Sequence, residues 1–545
     1  MVEHVLAKDE TGVRFSLAAQ NFVELINKNL IAKIPEEVSR ITETLQKAGF
    51  EAYLVGGCVR DLLMDKSLKD WDVTTNAKPE QIIGLFKKTV YENTFGTVIV
   101  IQEDVSQETL RQIEVTPYRI EAKYSDFRHP NEVKFSDNLE DDLKRRDFTI
   151  NAMALSSKGH LIDLFNGIKD IKNKTLRTVG EPDDRFKEDA LRMLRAVRFA
   201  VQLDFSVSYE VSENIFKNAN LIKKISQERI RDEFIKIIIS SNPSVGIVML
   251  EKFGLLKNII PELEEGIKCE QLGEHIYDVW NHSLQALQHA ANKGWPLEIR
   301  LSALFHDIGK PRSRRNIQLA PTKNSRAFAL GDKRTGNPRR IEFLSKRATK
   351  KYTFYGHEVI GARMTEKILE RLKFPKKEIE LVEKLVRNHM FFSDTEQITL
   401  SAVRRIIAKV GKENIWSLMN VRECDRVGMK KKETPYRLRK YFAMIEEALH
   451  DPISVGQLKI NGEFLIKDMD IKPGPRMGWI LHALLEEVLD DPLKNTKIHL
   501  SRLVKSLDQL PDGALRALGE RGKEKKKELE EKEIAKLHEK HGVRK

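Results

Sequence analysis

Gly56-Gly57-Cys58-Val59-Arg60-Asp61-Leu62-Leu63 and, a few residues on, Asp70-Trp71-Asp72 decide how the N-terminal part of this chain folds. Just before them, Glu51-Ala52-Tyr53-Leu54-Val55 is a short apolar run closed by glycine, which reads as a buried strand entering a tight turn. Upstream, residues 35–49 carry apolar positions at helical spacing. Helix, strand and glycine turn in that order suit a nucleotide site. In an extended segment the side chains at i and i+2 point to one side, so Asp70 and Asp72 can act together. Hard Mg²⁺ prefers oxygen ligands and keeps positions for phosphate and water, which is what two such carboxylates beside a glycine turn offer. Taken alone, the pair also fits a solvated acidic loop.

Working outward, strand-like runs at 96–101 and 112–116 complete an α/β region ending near Asp142, with the boundary to a helical part at 150–175. Glu114 lies in the second run. It is either a third carboxylate placed to deprotonate an attacking hydroxyl or a salt-bridged strand residue. Helical periodicity dominates afterwards, broken by a basic, Gly- and Pro-containing insertion at 312–351. From residue 521 the chain is rich in Lys and Glu and forms either a solvated helix or a disordered tail. A length of 545 residues exceeds what one core serves, so several modules are expected. The net charge of +13 suits a polyanionic partner. No apolar run approaches the roughly 20 residues of a membrane span, and the first residues lack a secretory pattern, so a soluble, cytoplasmic chain is expected. The three cysteines, Cys58, Cys269 and Cys424, are too scattered for a disulfide framework or a CxxC zinc site.

Two further stretches extend the pattern: Arg145-Arg146-Asp147-Phe148-Thr149-Ile150-Asn151-Ala152-Met153-Ala154, and Glu188-Asp189-Ala190-Leu191-Arg192-Met193-Leu194-Arg195-Ala196-Val197-Arg198-Phe199-Ala200. With the opening motif they resemble, over about residues 35–240, the class II nucleotidyltransferase superfamily of CCA-adding enzymes and bacterial poly(A) polymerases. The resemblance implies that Asp70 and Asp72 hold Mg²⁺ and that Gly56, Gly57 and Arg60 meet the incoming nucleotide. It gives Arg146 the phosphates and Asn151 the sugar or metal region. The third stretch then corresponds to a nucleobase-reading helix. Its own spacing agrees: Glu188 and Arg192 are four apart, and Asp189, Arg192 and Arg195 follow by threes, making one polar face. A surface ion-pair ladder is the alternative.

Cytosine and adenine each pair an exocyclic amine with a ring-nitrogen acceptor, an edge that an accepting Asp and a donating Arg satisfy. Uracil and guanine reverse that polarity, and each buried polar group left unpaired costs about 1–3 kcal/mol. Asp189 and Arg192 are thus expected to template C and A, with Glu188 holding Arg192, and Arg195 and Arg198 facing the triphosphate or its surroundings.

Further on, Phe305-His306-Asp307-Ile308-Gly309-Lys310 resembles the signature of HD phosphohydrolases. His306 and Asp307 supply one nitrogen and one oxygen to a divalent metal, and His282 and Asp425 are expected to complete a site open to water and phosphate. His357 and His389 either bind a second metal or substrate phosphate, or are packing residues. The metal is Mg²⁺ or a divalent transition ion. Asp307 and His357 lie farther apart in sequence than the resemblance implies, because the basic insertion falls between them; it either binds tRNA, obstructs the site or is a solvated linker.

The expected fold class is an α+β nucleotidyltransferase head, with a mixed sheet and helices, followed by an all-α neck, an HD domain and a C-terminal body and tail. The expected division is an extension at 1–34, head at 35–150, neck at 151–242, HD domain at 243–430, a tRNA-binding region at 431–520 and a charged tail at 521–545. The implied activity is template-independent addition of C, C and A to the tRNA 3′ end from CTP and ATP, with phosphohydrolase chemistry for 3′-end repair. The alternative is a poly(A) polymerase or a CC- or A-adding enzyme. The HD segment favours tRNA over poly(A), and residues 119–130, reading RIEAKYSDFRHP, are similar to the loop associated with A addition. The expected partners are tRNA, CTP and ATP, with no membrane and no stable protein partner.

Overall fold

The computed structural model describes residues 6–8, 14–16, 30–68, 70–92, 96–105, 107–121, 133–271, 275–317, 351–390, 398–429, 435–449 and 455–541. The chain forms two compact units, 1–387 with 423–428, and 388–422 with 429–545.

The first unit opens with helix α1 (Glu36–Lys47), which buries Val38, Ile41 and Leu45 against a sheet. That sheet has seven strands: β1 (Ala52–Val55), β2 (Asp72–Thr75), β3 (Thr89–Glu92), β4 (Thr97–Ile101), β5 (Gln112–Pro117), β6 (Met153–Leu155) and β7 (Leu161–Asp163). Their spatial order is β7-β6-β1-β2-β5-β4-β3. β2 and β5 run parallel, and the other neighbours are antiparallel. The sheet is mixed, as expected. It also takes in β6 and β7, past the residue 150 at which the sequence pattern ends the head; three-residue strands show too little alternation to be read.

Between β1 and β2 the chain turns at Gly56, whose φ of +80° lies where a side chain is strained, and enters α2 (Gly57–Leu63). Beyond the sheet, α3 (Pro182–Glu188), α4 (Leu191–Leu203) and α5 (Gln227–Ile238) form the neck. α6 (Val279–Asn292), α7 (Leu297–Phe305) and α8 (His357–Arg371) follow. One apolar core runs from Phe148 and Ile150 through α4 and α5 to Leu304, Ile368 and Val386, so neck and HD helices are packed as one body.

The basic insertion is closed at its base by Arg315–Ile317 pairing antiparallel with Lys351–Thr353, where the Arg314 guanidinium lies 3.7 Å over the Tyr352 ring. The expectation for the insertion itself falls on 318–350, outside the described residues. The segment 119–130 likewise begins as Arg119–Glu121 paired with Val133–Phe135, and its remainder lies outside them.

The second unit has its own core, from Leu458 and Ile460 to Leu500, Val504 and Leu515. The Lys/Glu-rich tail is helical here, continuing the 29-residue helix Asp512–Lys540. No helix among the described residues is long and apolar enough to cross a membrane.

Candidate active sites

In the head, Trp71 is buried to 4% exposure just before β2, while Asp70 is exposed and Asp72, the first residue of β2, is half-buried. The parallel register sets Asp72 opposite Glu114, so those two carboxylates lie on one sheet face while Ile113 and Val115 point into the core. Burial raises the Asp72 carboxyl above its ordinary range; Arg146 opposes the rise and Asp70 adds to it. Gly56 leaves the space between these groups: a Cβ there would lie 2.9 Å from Arg146 Nη1 and 3.5 Å from Asp72 Oδ2. A hard divalent cation suits this group of carboxylate oxygens, of which Asp72 is half-buried and Asp70 and Glu114 are open to solvent and phosphate.

Arg146 is held from below by Asp142, which is fully buried and accepts from Arg146 Nη2 at 3.0 Å and from Arg145 Nε at 3.0 Å. Burial pushes Asp142 up, but the two guanidiniums outweigh it and keep the carboxyl low. A second chain of bonds starts at Arg60, whose Nη1 donates to Asn151 Oδ1 at 2.7 Å. Asn151 Nδ2 donates to Asp147 Oδ1 at 3.2 Å, and Arg195 Nε donates to Asp147 Oδ2 at 2.7 Å. The glycine-turn helix, the RRD segment and the neck are therefore linked through hydrogen bonds.

Burial alone would raise Asp147, but Arg195 and Asn151 lower it from 3.8 to about 2. A carboxylate depressed in the folded state contributes stability above its unfolded value and loses it as pH falls through the folded one. The contribution is about 2 kcal/mol. We expect acid titration to show the wild type losing stability between pH 3.8 and about 2, with Asp147→Asn less stable at neutral pH and lacking that slope.

The neck departs from the expected single helix. α3 stops at Glu188, Asp189 is extended (φ −140°, ψ 104°), and α4 starts at Leu191. The Asp189 carboxylate accepts from Leu191 N–H at 3.0 Å, a bond that competes with helix continuation and ends it there. Arg192 still meets Glu188, at 2.6 Å, and also donates to the Arg145 carbonyl at 3.3 Å. Arg195 and Arg198, expected to face the triphosphate or its surroundings, are tied to Asp147 and Glu233. With Arg60 they surround the Phe199 ring at 4.2–5.4 Å. Burial, with Arg195 adding to it, lowers Arg198 to about 10.

The other site gathers residues of α6, of the turn after α7 and of the segment 423–428, all within the first unit. His282, His306, Asp307 and Asp425 are all buried, with one ligand atom from each within 4.8 Å of the others. The His282 and His306 Nε2 atoms stand 3.1 Å apart; Asp307 Oδ2 is 3.5 and 3.3 Å from them, and Asp425 Oδ1 is 3.7 and 3.5 Å. His306 Nδ1–H donates to the Ala303 carbonyl at 2.8 Å, which turns the Nε2 atom to the centre. Burial pulls His306 down, but Asp307 and Asp425 outweigh it and lift it to about 10; Asp307 itself is held well below the carboxylate range. His357 Nε2 lies 3.3 Å from Asp307 Oδ1, on the carboxylate's other oxygen. His389 is buried within the second unit.

Gly309 lets this turn reach α8. A Cβ there would lie 2.6 Å from Gly361 N and closer still to the His357 carbonyl. Both obstacles are backbone, so Gly309→Ala should destabilise the fold by about 3 kcal/mol, read as a lowered denaturant midpoint.

Four family models match the chain: the Poly A polymerase head domain at 52–177, the probable RNA- and SrmB-binding site of polymerase A at 204–267, the HD domain at 279–427, and tRNA nucleotidyltransferase domain 2 at 358–504. The chain is thus similar to Poly A polymerase head domains along 52–177 and to HD domains along 279–427. The chain is 46% identical over 222 residues to a CCA-adding enzyme of Ligilactobacillus salivarius (40% of this chain, 54% of that protein). It is 48% identical over 211 residues to one of Lactobacillus helveticus (38% and 51%). The chain thus spans about half the length of the curated relatives it matches. The crystal structure of the Bacillus stearothermophilus CCA-adding enzyme in complex with CTP is 26% identical, with TM-score 0.53, covering 86% of this chain and 97% of that one.

Several residues around these sites were not singled out from sequence. Asp147 sits inside the RRD motif and signals itself only by being an acid between apolar and basic neighbours. Lys310, which donates to Asp307 Oδ2 at 2.6 Å and to Gln271 Oε1 at 2.5 Å, lies in the HD signature without an assigned part. His275, whose ring meets His282 edge-on at 5.2 Å, and Arg229, which pairs with Asp189 at 2.8 Å, carry no motif signal.

Proposed function

We propose that this chain adds C, C and A, without a nucleic-acid template, to the 3′ end of tRNA from CTP and ATP. The observation that carries this reading is the set Asp70, Asp72 and Glu114 beside the Gly56 turn and Arg146, in the same unit as the Asp189 and Arg192 pair. Asp70 and Asp72 would hold Mg²⁺, which neutralises charge on the triphosphate. Arg146 would meet the phosphates, with Asp142 fixing its guanidinium. Gly57, Arg60 and Asn151 would line the nucleotide. The tRNA 3′-hydroxyl oxygen attacks the α-phosphorus, the bond to the β-phosphate oxygen breaks, and pyrophosphate leaves; Glu114 takes the hydroxyl proton. Asp189 accepts from the exocyclic amine, and Arg192, braced by Glu188, donates to the ring nitrogen.

The His282, His306, Asp307 and Asp425 centre would bind a divalent transition metal or Mg²⁺ and hydrolyse 2′,3′-cyclic or terminal phosphates on damaged 3′ ends, with His357 beside it. Such an enzyme works in the cytoplasm on the acceptor end of tRNA.

The test is extension of a tRNA lacking its CCA end, with CTP and ATP together and singly, resolved to one nucleotide. A stop after CCA supports the proposal. A stop after CC, a single A, or a long A ladder replaces it with the partial-tail or poly(A) reading.

A further inference from the structure

Each member of the Asp189 and Arg192 pair has its own charged support. Arg192 has Glu188, one helical turn away and legible in the sequence. Asp189 has Arg229, forty positions downstream on α5. Arg229 Nη2 donates to Asp189 Oδ2 at 2.8 Å and Nη1 reaches Oδ1 at 3.4 Å, so the guanidinium fork spans both oxygens. Oδ1 also accepts the Leu191 N–H at 3.0 Å. These three bonds fix the carboxylate plane at a point where the backbone is extended and would leave the side chain free to turn.

A carboxylate has about four lone-pair positions, and the three bonds leave one on Oδ2. That position can accept an amine hydrogen and nothing else, because an ion-paired carboxylate has no proton to donate. A carboxylate free to rotate would no longer aim that one acceptor at the base edge, and the preference for an amine over the carbonyl of uracil would weaken with it.

We infer that Arg229 is the positioning residue for nucleobase discrimination: it holds Asp189 as an acceptor-only group in one orientation, as Glu188 holds Arg192. Arg229 does not touch the nucleotide and acts through Asp189. The inference rests on the reading of Asp189 as a base contact. A lysine at 229 would keep the charge and lose the two-pronged geometry, since an ammonium is a point charge.

The experiment measures kcat/KM for CTP and for UTP on a tRNA lacking its CCA end. It uses the full chain as wild type, Arg229→Gln, Arg229→Lys and Asp189→Ala. Arg229→Gln should lower the CTP-to-UTP ratio about 10-fold or more, Arg229→Lys should lower it less, and KM for tRNA should stay unchanged in both. A loss of CTP and UTP use in equal proportion, with the ratio intact, overturns the inference and leaves Arg229 a packing residue. If Arg229→Gln does not fold, the ratio in Arg229→Lys decides the same question. A ratio unchanged in Asp189→Ala sinks the base-contact reading itself. A ratio that collapses in Asp189→Ala but holds in both Arg229 variants sinks only the part given to Arg229.

Discussion

Asp72→Ala should reduce nucleotide incorporation on the order of 10³-fold or more while leaving tRNA affinity within a few-fold of wild type. Asp72 is the half-buried member of the acidic pair, directly opposite Glu114 in the sheet and 3.5 Å from the space kept open by Gly56. Its carboxylate is where triphosphate charge would be neutralised through a bound cation, a contribution of several kcal/mol that the transition state needs and RNA binding does not. On the proposed function, RNA affinity would instead draw on the basic side chains of a sequence with net charge +13. Asp72→Asn separates charge from shape: it keeps the hydrogen-bonding size and should lose nearly as much activity. Single-turnover incorporation and filter binding on the same preparations test this. A parallel loss of binding and catalysis would show that Asp72 supports the head's structure and not its chemistry.

The second large effect is expected at the other centre. His306→Ala should abolish hydrolysis of a 2′,3′-cyclic phosphate and remove a bound divalent ion, while CCA addition changes less than two-fold. His306 supplies one of two Nε2 atoms 3.1 Å apart, and its Nδ1–H bond to Ala303 holds that atom toward the centre. Removing one nitrogen from a four-ligand set forfeits metal binding, and hydrolysis with it. Metal content, hydrolysis and nucleotide addition on one sample give three independent readouts. Hydrolysis that persists in His306→Ala, or that never depends on a divalent ion in the wild type, would sink the metal-centre reading.

What the sequence shows and what it hides follows from how far apart the interacting residues are. Gly56, Asp70 and Asp72 are legible because turn chemistry and a period of two are local. Glu114 is legible as an acid alternating with apolar residues, but its register opposite Asp72 is a non-local fact. Glu188 and Arg192 announce their contact by spacing. Asp189 looks helical from spacing alone, because nothing in residues 188–200 is a helix breaker; the interruption comes from its own side chain bonding Leu191 N–H. Arg229, Asp142 and Lys310 are ordinary surface-type residues in sequence and become parts of the sites only when helices pack. Asp425 is readable only through resemblance, since it lies far from His306 in the chain. β6 and β7 are too short to carry a pattern.

The interruption at Asp189 also bears on how this protein can change. One carboxylate both faces the proposed base position and starts the helix that carries Arg192, by accepting the first free N–H of that helix. A substitution that alters base choice at this position therefore also removes a helix start, worth about 1 kcal/mol, unless the newcomer can accept the same bond. Asn, Ser and Thr can; hydrophobic and basic residues cannot. Single-step drift toward other nucleotides is thereby confined to a few polar neighbours of aspartate, and wider changes require a compensating change elsewhere in the neck first.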